Sequence, residues 1–260
     1  MNEPLYRVQI ETAACDVRAR VNDCPVFKTD GRRHLKTAAA VNGWLQQGGN
    51  ELVFTVRPPV GADRIPSEAY LRGKVTVGDM TQPQGSRPET TLADFELDLA
   101  DDTGTYPLVL TTEFNVDTAF PPWLWQRGPM LTIDDAFRAE ATSLVRQLWQ
   151  ALDRNDLDAA LGLQTVRNQE LARAMFQRTD ERIADVRSDL GRLTDDPSAE
   201  LQPLEPSDFN FNLFGDGRLA RVDDGKERAV IRFAFSDVDM IASVPVLLAR
   251  NAAGKLVWVR

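Results

Sequence analysis

Histidine occurs once in this chain, at His34, and cysteine twice, at Cys15 and Cys24. One imidazole and two thiols without a C-x-x-C spacing are too few soft ligands for a structural zinc site. A Ser-His-Asp triad would have to use His34, which follows Arg32 and Arg33 in a glycine-containing loop; this is either a basic tip that contacts an anion or a partner or, the preferred reading, a solvated basic loop. Tyrosine does not occur after Tyr106. The signatures G-x-G-x-x-G, G-x-x-x-x-G-K-[ST], G-x-S-x-G and H-E-x-x-H are also missing, so neither a phosphate-cradling loop nor a motif-borne nucleophile is expected. No apolar run nears the roughly 20 residues that span a bilayer. The opening Met1-Asn2-Glu3-Pro4-Leu5-Tyr6-Arg7 has neither a basic nor an apolar signal-peptide region, which predicts a cytoplasmic protein. In that compartment thiols stay reduced; a disulfide between Cys15 and Cys24 would need closely paired strands, and two small buried apolar side chains are the preferred reading.

Positive charge is in deficit too. The formal net charge is -9, of which residues 1–120 carry -5 and residues 121–260 carry -4. Acidity spread over both halves repels phosphate backbones and anionic lipid surfaces, so neither nucleic acid nor membrane is an expected partner. A basic protein partner is electrostatically favoured.

With 43% hydrophobic and 27% charged residues, the 260-residue chain can bury a sizeable core, as one large or two ordinary domains. In the first part apolar residues alternate: Tyr6, Val8 and Ile10; Leu52, Phe54 and Val56; Leu71, Val75 and Val77; Phe95, Leu97 and Leu99; Leu108, Leu110 and Phe114. Turn residues separate them at Asp30-Gly31, Gly48-Gly49-Asn50, Pro58-Pro59, Thr81 to Pro88 and Asp101 to Gly104. Half-buried strands at this spacing predict an all-β sandwich over residues 1–118, with a surface loop from Gly78 to Thr90. Residues 119–131 hold three prolines and a glycine among Phe120, Trp123 and Trp125, which reads as a connector. Its aromatics either form an exposed recognition patch or wedge two domains together.

Residues 132–260 change period and predict an α+β domain, helices before antiparallel sheet. Thr132, with Asp135 three residues on, is the expected N-cap of a helix carrying Phe137, Leu144, Leu148 and Leu152 on one face. Asn155 or Asp156 caps a second helical stretch, with a break admissible near Gly162–Thr165 or near Thr179 and a stop at Gly191. Phe209, Phe211 and Leu213 alternate, Gly215-Asp216-Gly217 turns, and strands follow at 229–235, 244–250 and 255–260.

Two resemblances add to this. Val21-Asn22-Asp23, Val26-Phe27, Val41 to Leu45 and the corner Leu45, Gly48, Asn50, Leu52 resemble the galactose-binding-like jelly-roll sandwich, whose members bind sugars or proteins. The corner has a physical basis: Gly48 or Gly49 supplies an unusual backbone angle and Asn50 can satisfy turn amides. Val145 to Leu161, with Leu247 to Trp258, resembles the nuclear-transport-factor-like or polyketide-cyclase-like cone. That resemblance implies a carboxylate base and a partner donor inside the cone. Asp208, Asp237 and Asp239 are the candidates, although Asp237-Val238-Asp239 reads as a turn. Asp195-Asp196 and Asp223-Asp224-Gly225 lack the alternating oxygen ligands of an EF-hand and read as solvated loops.

The expected function is therefore a non-catalytic protein-binding module of the immunity or scaffold type. Phe120, Trp123, Trp125, Arg32, Arg33 and His34 are its candidate binding residues, with no catalytic residue, metal or cofactor assigned. Cone-type folds commonly pair through their sheets, which admits a homodimer. The alternatives are a carbohydrate or small-molecule binder and a cone-type lyase, isomerase or cyclase.

Overall fold

The computed structural model describes residues 3–31, 33–82, 87–99, 105–238 and 240–260. Arg32, Asp239, the Asp101–Gly104 turn and residues 83–86 of the Gly78–Thr90 loop, all singled out above, lie outside the described residues. The chain divides into two compact units, Met1–Pro121 and Pro122–Arg260.

The first unit is built from β1 (Pro4–Ala13), β2 (Asp16–Val21), β3 (Cys24–Lys28), β4 (Leu35–Ala40), β5 (Gly48–Arg57), β6 (Tyr70–Asp79), β7 (Glu89–Asp98) and β8 (Leu108–Val116). They form two four-stranded antiparallel sheets, in the orders β4-β1-β6-β7 and β3-β2-β5-β8. Tyr6, Val8, Ile10, Leu52, Phe54, Val56, Leu71, Val75 and Val77, the residues marked by alternation, are all buried. Phe54 of one sheet meets Phe95 of the other at 4.4 Å between ring centroids, and both sheets contribute to one core. Two facing sheets are compatible with a sandwich; the strand order does not by itself make it a jelly roll. Among the described residues of the first unit, only β2–β3 and β6–β7 are hairpins within a sheet.

Alternation alone does not bring out β2, β3 or β4. The β2–β3 hairpin rests on Asn22 and Asp23, both left-handed at φ 49° and 60°, as a type I′ turn demands. The corner before β5 is built as its residues suggest. Gly48 takes φ 90°, a conformation that L side chains avoid. Buried Asn50 accepts from Asn22 Nδ2 (2.8 Å) and the Gln46 N–H (3.0 Å), and donates to the Gln46 and Gly48 carbonyls (both 2.9 Å). Opposite Phe95 stands Gly73, where a Cβ would lie 2.3 Å from Phe95 Cζ and 2.4 Å from the Gln9 carbonyl oxygen. Cys15 and Cys24 are both buried and are not joined by a disulfide.

The second unit opens with α1 (Leu124–Arg127), α2 (Asp135–Asp153), α3 (Leu157–Leu163), α4 (Thr165–Ala174) and α5 (Thr179–Thr194). The cap of α2 is Asp134 and not Thr132: its carboxylate accepts the Phe137 N–H at 2.8 Å and also meets the positive helix end. Asp156 caps α3 through the Ala159 N–H at 3.0 Å. The long helical stretch is broken at both of the places where a single break was admissible, between α3 and α4 and between α4 and α5. Gly191 does not stop α5, which runs on to Thr194, because Gly191 keeps helical backbone and faces Leu157.

Seven strands follow: β9 (Ala199–Leu201), β10 (Asn210–Phe214), β11 (Leu219–Asp223), β12 (Ile231–Phe235), β13 (Ile241–Val244), β14 (Val246–Arg250) and β15 (Leu256–Trp258). They form the antiparallel sheets β10-β11-β14-β15 and β13-β12-β9. The apolar stripe of α2 (Phe137, Ala141, Val145, Leu148, Leu152) shares a core with Val222, Ile231, Phe233, Leu248 and Trp258. Alternation fails at the end of β10, where Leu213 is exposed and Phe214 is buried instead, with Arg221 over its ring at 5.3 Å. The Asp223-Asp224 pair is not a solvated loop. Buried Asp223 binds Arg221 at 2.7 Å. Burial pushes the Asp224 carboxyl up, but Arg228 and the backbone N–H groups of Arg228 and Lys226 together hold it down at about 2. No helix among the described residues is long and apolar enough to cross a membrane.

Two substitutions test this account. Asn50→Ala strips three backbone groups and Asn22 of a partner and is expected to cost about 2–3 kcal/mol. Gly73→Ala forces a Cβ into Phe95 and the β1 backbone and is expected to cost about 2 kcal/mol or more. Urea unfolding with unchanged m-values measures both.

Candidate functional site

A strand that points one set of side chains inward must point the other set outward. On the sheet β4-β1-β6-β7 the outward set is polar, and it lines a groove of about 790 Å³ to which all four strands contribute. The register lays the charges out in rows. Lys36, Glu11, Arg72 and Glu96 stand side by side across β4, β1, β6 and β7. In the next row stand Ala38, Gln9, Lys74 and Asp94. Opposite charges thus alternate directly across the strands, the arrangement that cross-strand pairing favours.

Glu11 is the hub of the first row. Its carboxylate accepts from Tyr70 Oη at 3.2 Å, lies 3.3 Å from His34 Nε2 and pairs with Lys36 Nζ at 3.3 Å. Arg72 lies over the Tyr70 ring at 5.1 Å and binds Glu96 at 2.7 Å. The bonds from His34, Lys36 and Tyr70 hold the Glu11 carboxyl below its ordinary value of 4.5. Partial burial and the bond to Glu11 push the Tyr70 hydroxyl up. At the other end of the groove Gln9 Nε2 donates to Glu89 (2.6 Å) and Thr76 Oγ1 (3.1 Å). Lys74 and Asp94 form no ion pair among the described residues, which leaves one charge of each sign for a ligand at the centre of the floor.

Of the residues marked from sequence, His34 belongs to this cluster and exposed Arg33 is its chain neighbour. The three aromatics are not brought together as one exposed group. Half-buried Phe120 packs edge-to-face on Tyr6, 6.0 Å away, in the first unit. Trp123 and Trp125 are 1% and 5% exposed in the second, where Trp123 lies beneath Arg260 and Trp125 against Gly215. Glu11, Lys36, Tyr70, Arg72, Lys74, Asp94 and Glu96 were not singled out. Their signal was the polar half of the same alternation that located the core.

The arrangement suits recognition of a ligand that carries both signs of charge. No group of three or more His, Cys, Asp or Glu that could hold a metal occurs among the described residues. The buried carboxylates Glu170 and Asp223 of the second unit are each held by an arginine, Arg260 and Arg221. No protein-family model, curated protein or solved structure matches this chain.

Because the folded Glu11 pKa is depressed, its partners' stabilisation is present above the unfolded carboxylate's pKa and is lost as pH falls through the folded value. Glu11→Gln is therefore expected to melt slightly below wild type at neutral pH, with the difference closing below about pH 4.5. Paired thermal melts from neutral pH down to about pH 3 check this; a constant difference would remove Glu11 as the hub.

Proposed function

We propose that this protein is a non-catalytic protein-binding module, of the immunity or scaffold type, and that the outer face of β4-β1-β6-β7 receives the partner. The observation that carries the reading is the groove itself: about 790 Å³, open along four strands, with charges of alternating sign in register. Charge rows of this kind discriminate by matching, since a wrong partner places like charges together. A protein segment with mixed charges supplies the complement, whereas a polyanion meets the -9 net charge and the carboxylates of Glu11, Asp94 and Glu96. The reading also takes the first unit as a sandwich that presents this face and the second as a separate α+β domain.

A saccharide is the second reading. The groove volume lies within the small-molecule range, and its lining sets the Phe95 ring beside polar groups.

The test is a double charge reversal, Arg72→Glu with Lys74→Glu, in the full chain. A partner captured by wild type and then purified should lose at least tenfold in affinity for the variant by calorimetry, with the loss growing at low salt. Unchanged affinity would exclude this face. Binding to a glycan panel that the same variant abolishes would favour the saccharide.

A further inference from the structure

The last strand of an open sheet offers a row of N–H and C=O groups to another chain. In the first unit β4 is such a strand, and it forms one rim of the groove. The Val41 N–H donates to the Tyr6 carbonyl at 3.0 Å, and the β1–β4 register, continued by one pair, sets those two residues opposite each other. Bonded and non-bonded pairs alternate along an antiparallel ladder. The backbone groups of Leu35, Thr37 and Ala39 therefore turn to β1, and those of Lys36, Ala38 and Ala40 turn to the free edge. These last three residues are exposed, and no hydrogen bond fills their N–H and C=O groups among the described residues.

The other edges of this unit are guarded. β3 carries Pro25, and its pairing with β2 is broken by a bulge between Ala19 and Arg20. β7 shifts register after Val75, carries Glu89, Asp94 and Glu96, and packs against β8, the remaining edge. β4 has no proline, no bulge and a single charge, Lys36. That charge selects the occupant. In the row Lys36, Glu11, Arg72, Glu96 each inner member has an opposite charge on both sides, whereas Lys36 has one on the β1 side alone. A strand laid outside β4 continues the alternation if it places a carboxylate there. A second copy of β4 does not, since Leu35 to Ala40 include no acidic residue.

We propose that β4 receives an extended segment of a partner protein as a fifth strand, antiparallel to β4, with an acidic residue facing Lys36. Side chains two and four residues before that acid lie over Ala38 and Ala40 on the groove side, and the residue after it covers exposed Leu35 on the other face. This rests on the reading that the β4-β1-β6-β7 face receives a protein, and adds how the protein is held: main-chain bonds supply affinity and Lys36 sets the register.

The probe is a fluorescein-labelled, C-terminally amidated peptide, Tyr-Thr-Tyr-Thr-Glu-Val, titrated into the full chain by anisotropy. Binding with a Kd below about 1 mM is expected. At saturation, amide exchange at Lys36, Ala38 and Ala40 should slow at least about tenfold, and less at Thr37 and Ala39, which are already bonded to β1. Ala38→Pro removes a donor that faces solvent, so the fold should persist while binding falls at least about tenfold. Lys36→Gln should bind this peptide about two- to fivefold more weakly and its Gln-for-Glu analogue equally well. No binding up to about 1 mM, equal binding by Ala38→Pro, or protection that spares the edge amides overturns the added strand. The Arg72→Glu, Lys74→Glu reversal leaves β4 intact, so it tests the face reading separately. Dimerisation of the free chain that Ala38→Pro abolishes would assign the edge to a second copy and overturn the proposal as well.

Discussion

Everything in the first unit follows from one constraint: a strand has two faces and alternate residues must share them. On β1, Tyr6, Val8 and Ile10 go to the core, so Arg7, Gln9 and Glu11 go to the other side. The same division on β6 buries Leu71, Val75 and Val77 and sends Arg72 and Lys74 outward. The core and the groove are therefore two sides of one pattern. A register slip of one residue would destroy both, because it would expose the apolar set and bury the charges. Gly73 and Phe95 guard that register: the ring covers a position where no Cβ fits, and its contact with Phe54 joins the sheets.

The second unit depends on a different interaction. Glu170 ties the first turn of α1 to α4 and, through Arg260, to the end of the chain. Such a buried pair gains little over an apolar substitute but is costly to break from one side, so it selects one arrangement of those three segments. Trp123 and Trp258 extend the effect, since a guanidinium stands over each ring, of Arg260 and Arg167 respectively.

The strands that alternate over five or more residues were legible, as was the corner at Gly48 and Asn50, because their physics is local. The switch to helical period near residue 132, and the two places at which the long helical stretch could break, were legible for the same reason. The caps were less so: Thr132 and Asp134 are both good N-cap residues, and the packing of Phe137 decides between them. The hairpin at Asn22 and Asp23 carried its turn chemistry in plain view, but the strands on either side are short and irregular, with a bulge between Ala19 and Arg20. Phe120, Trp123 and Trp125 were legible as adhesive residues and not as to what they adhere to.

The sequence by itself determined the period of each segment, the turn positions, the acidic balance and the shortage of histidine and cysteine, since each is a property of neighbouring residues or of their sum. It did not determine that Glu11 would meet His34, Lys36 and Tyr70, nor that Arg260 would reach Glu170 across 90 residues. Those meetings depend on strand order and helix packing. They involve pairs distant in the chain, and no local propensity encodes which strand lies beside which. Only the tertiary structure decided them.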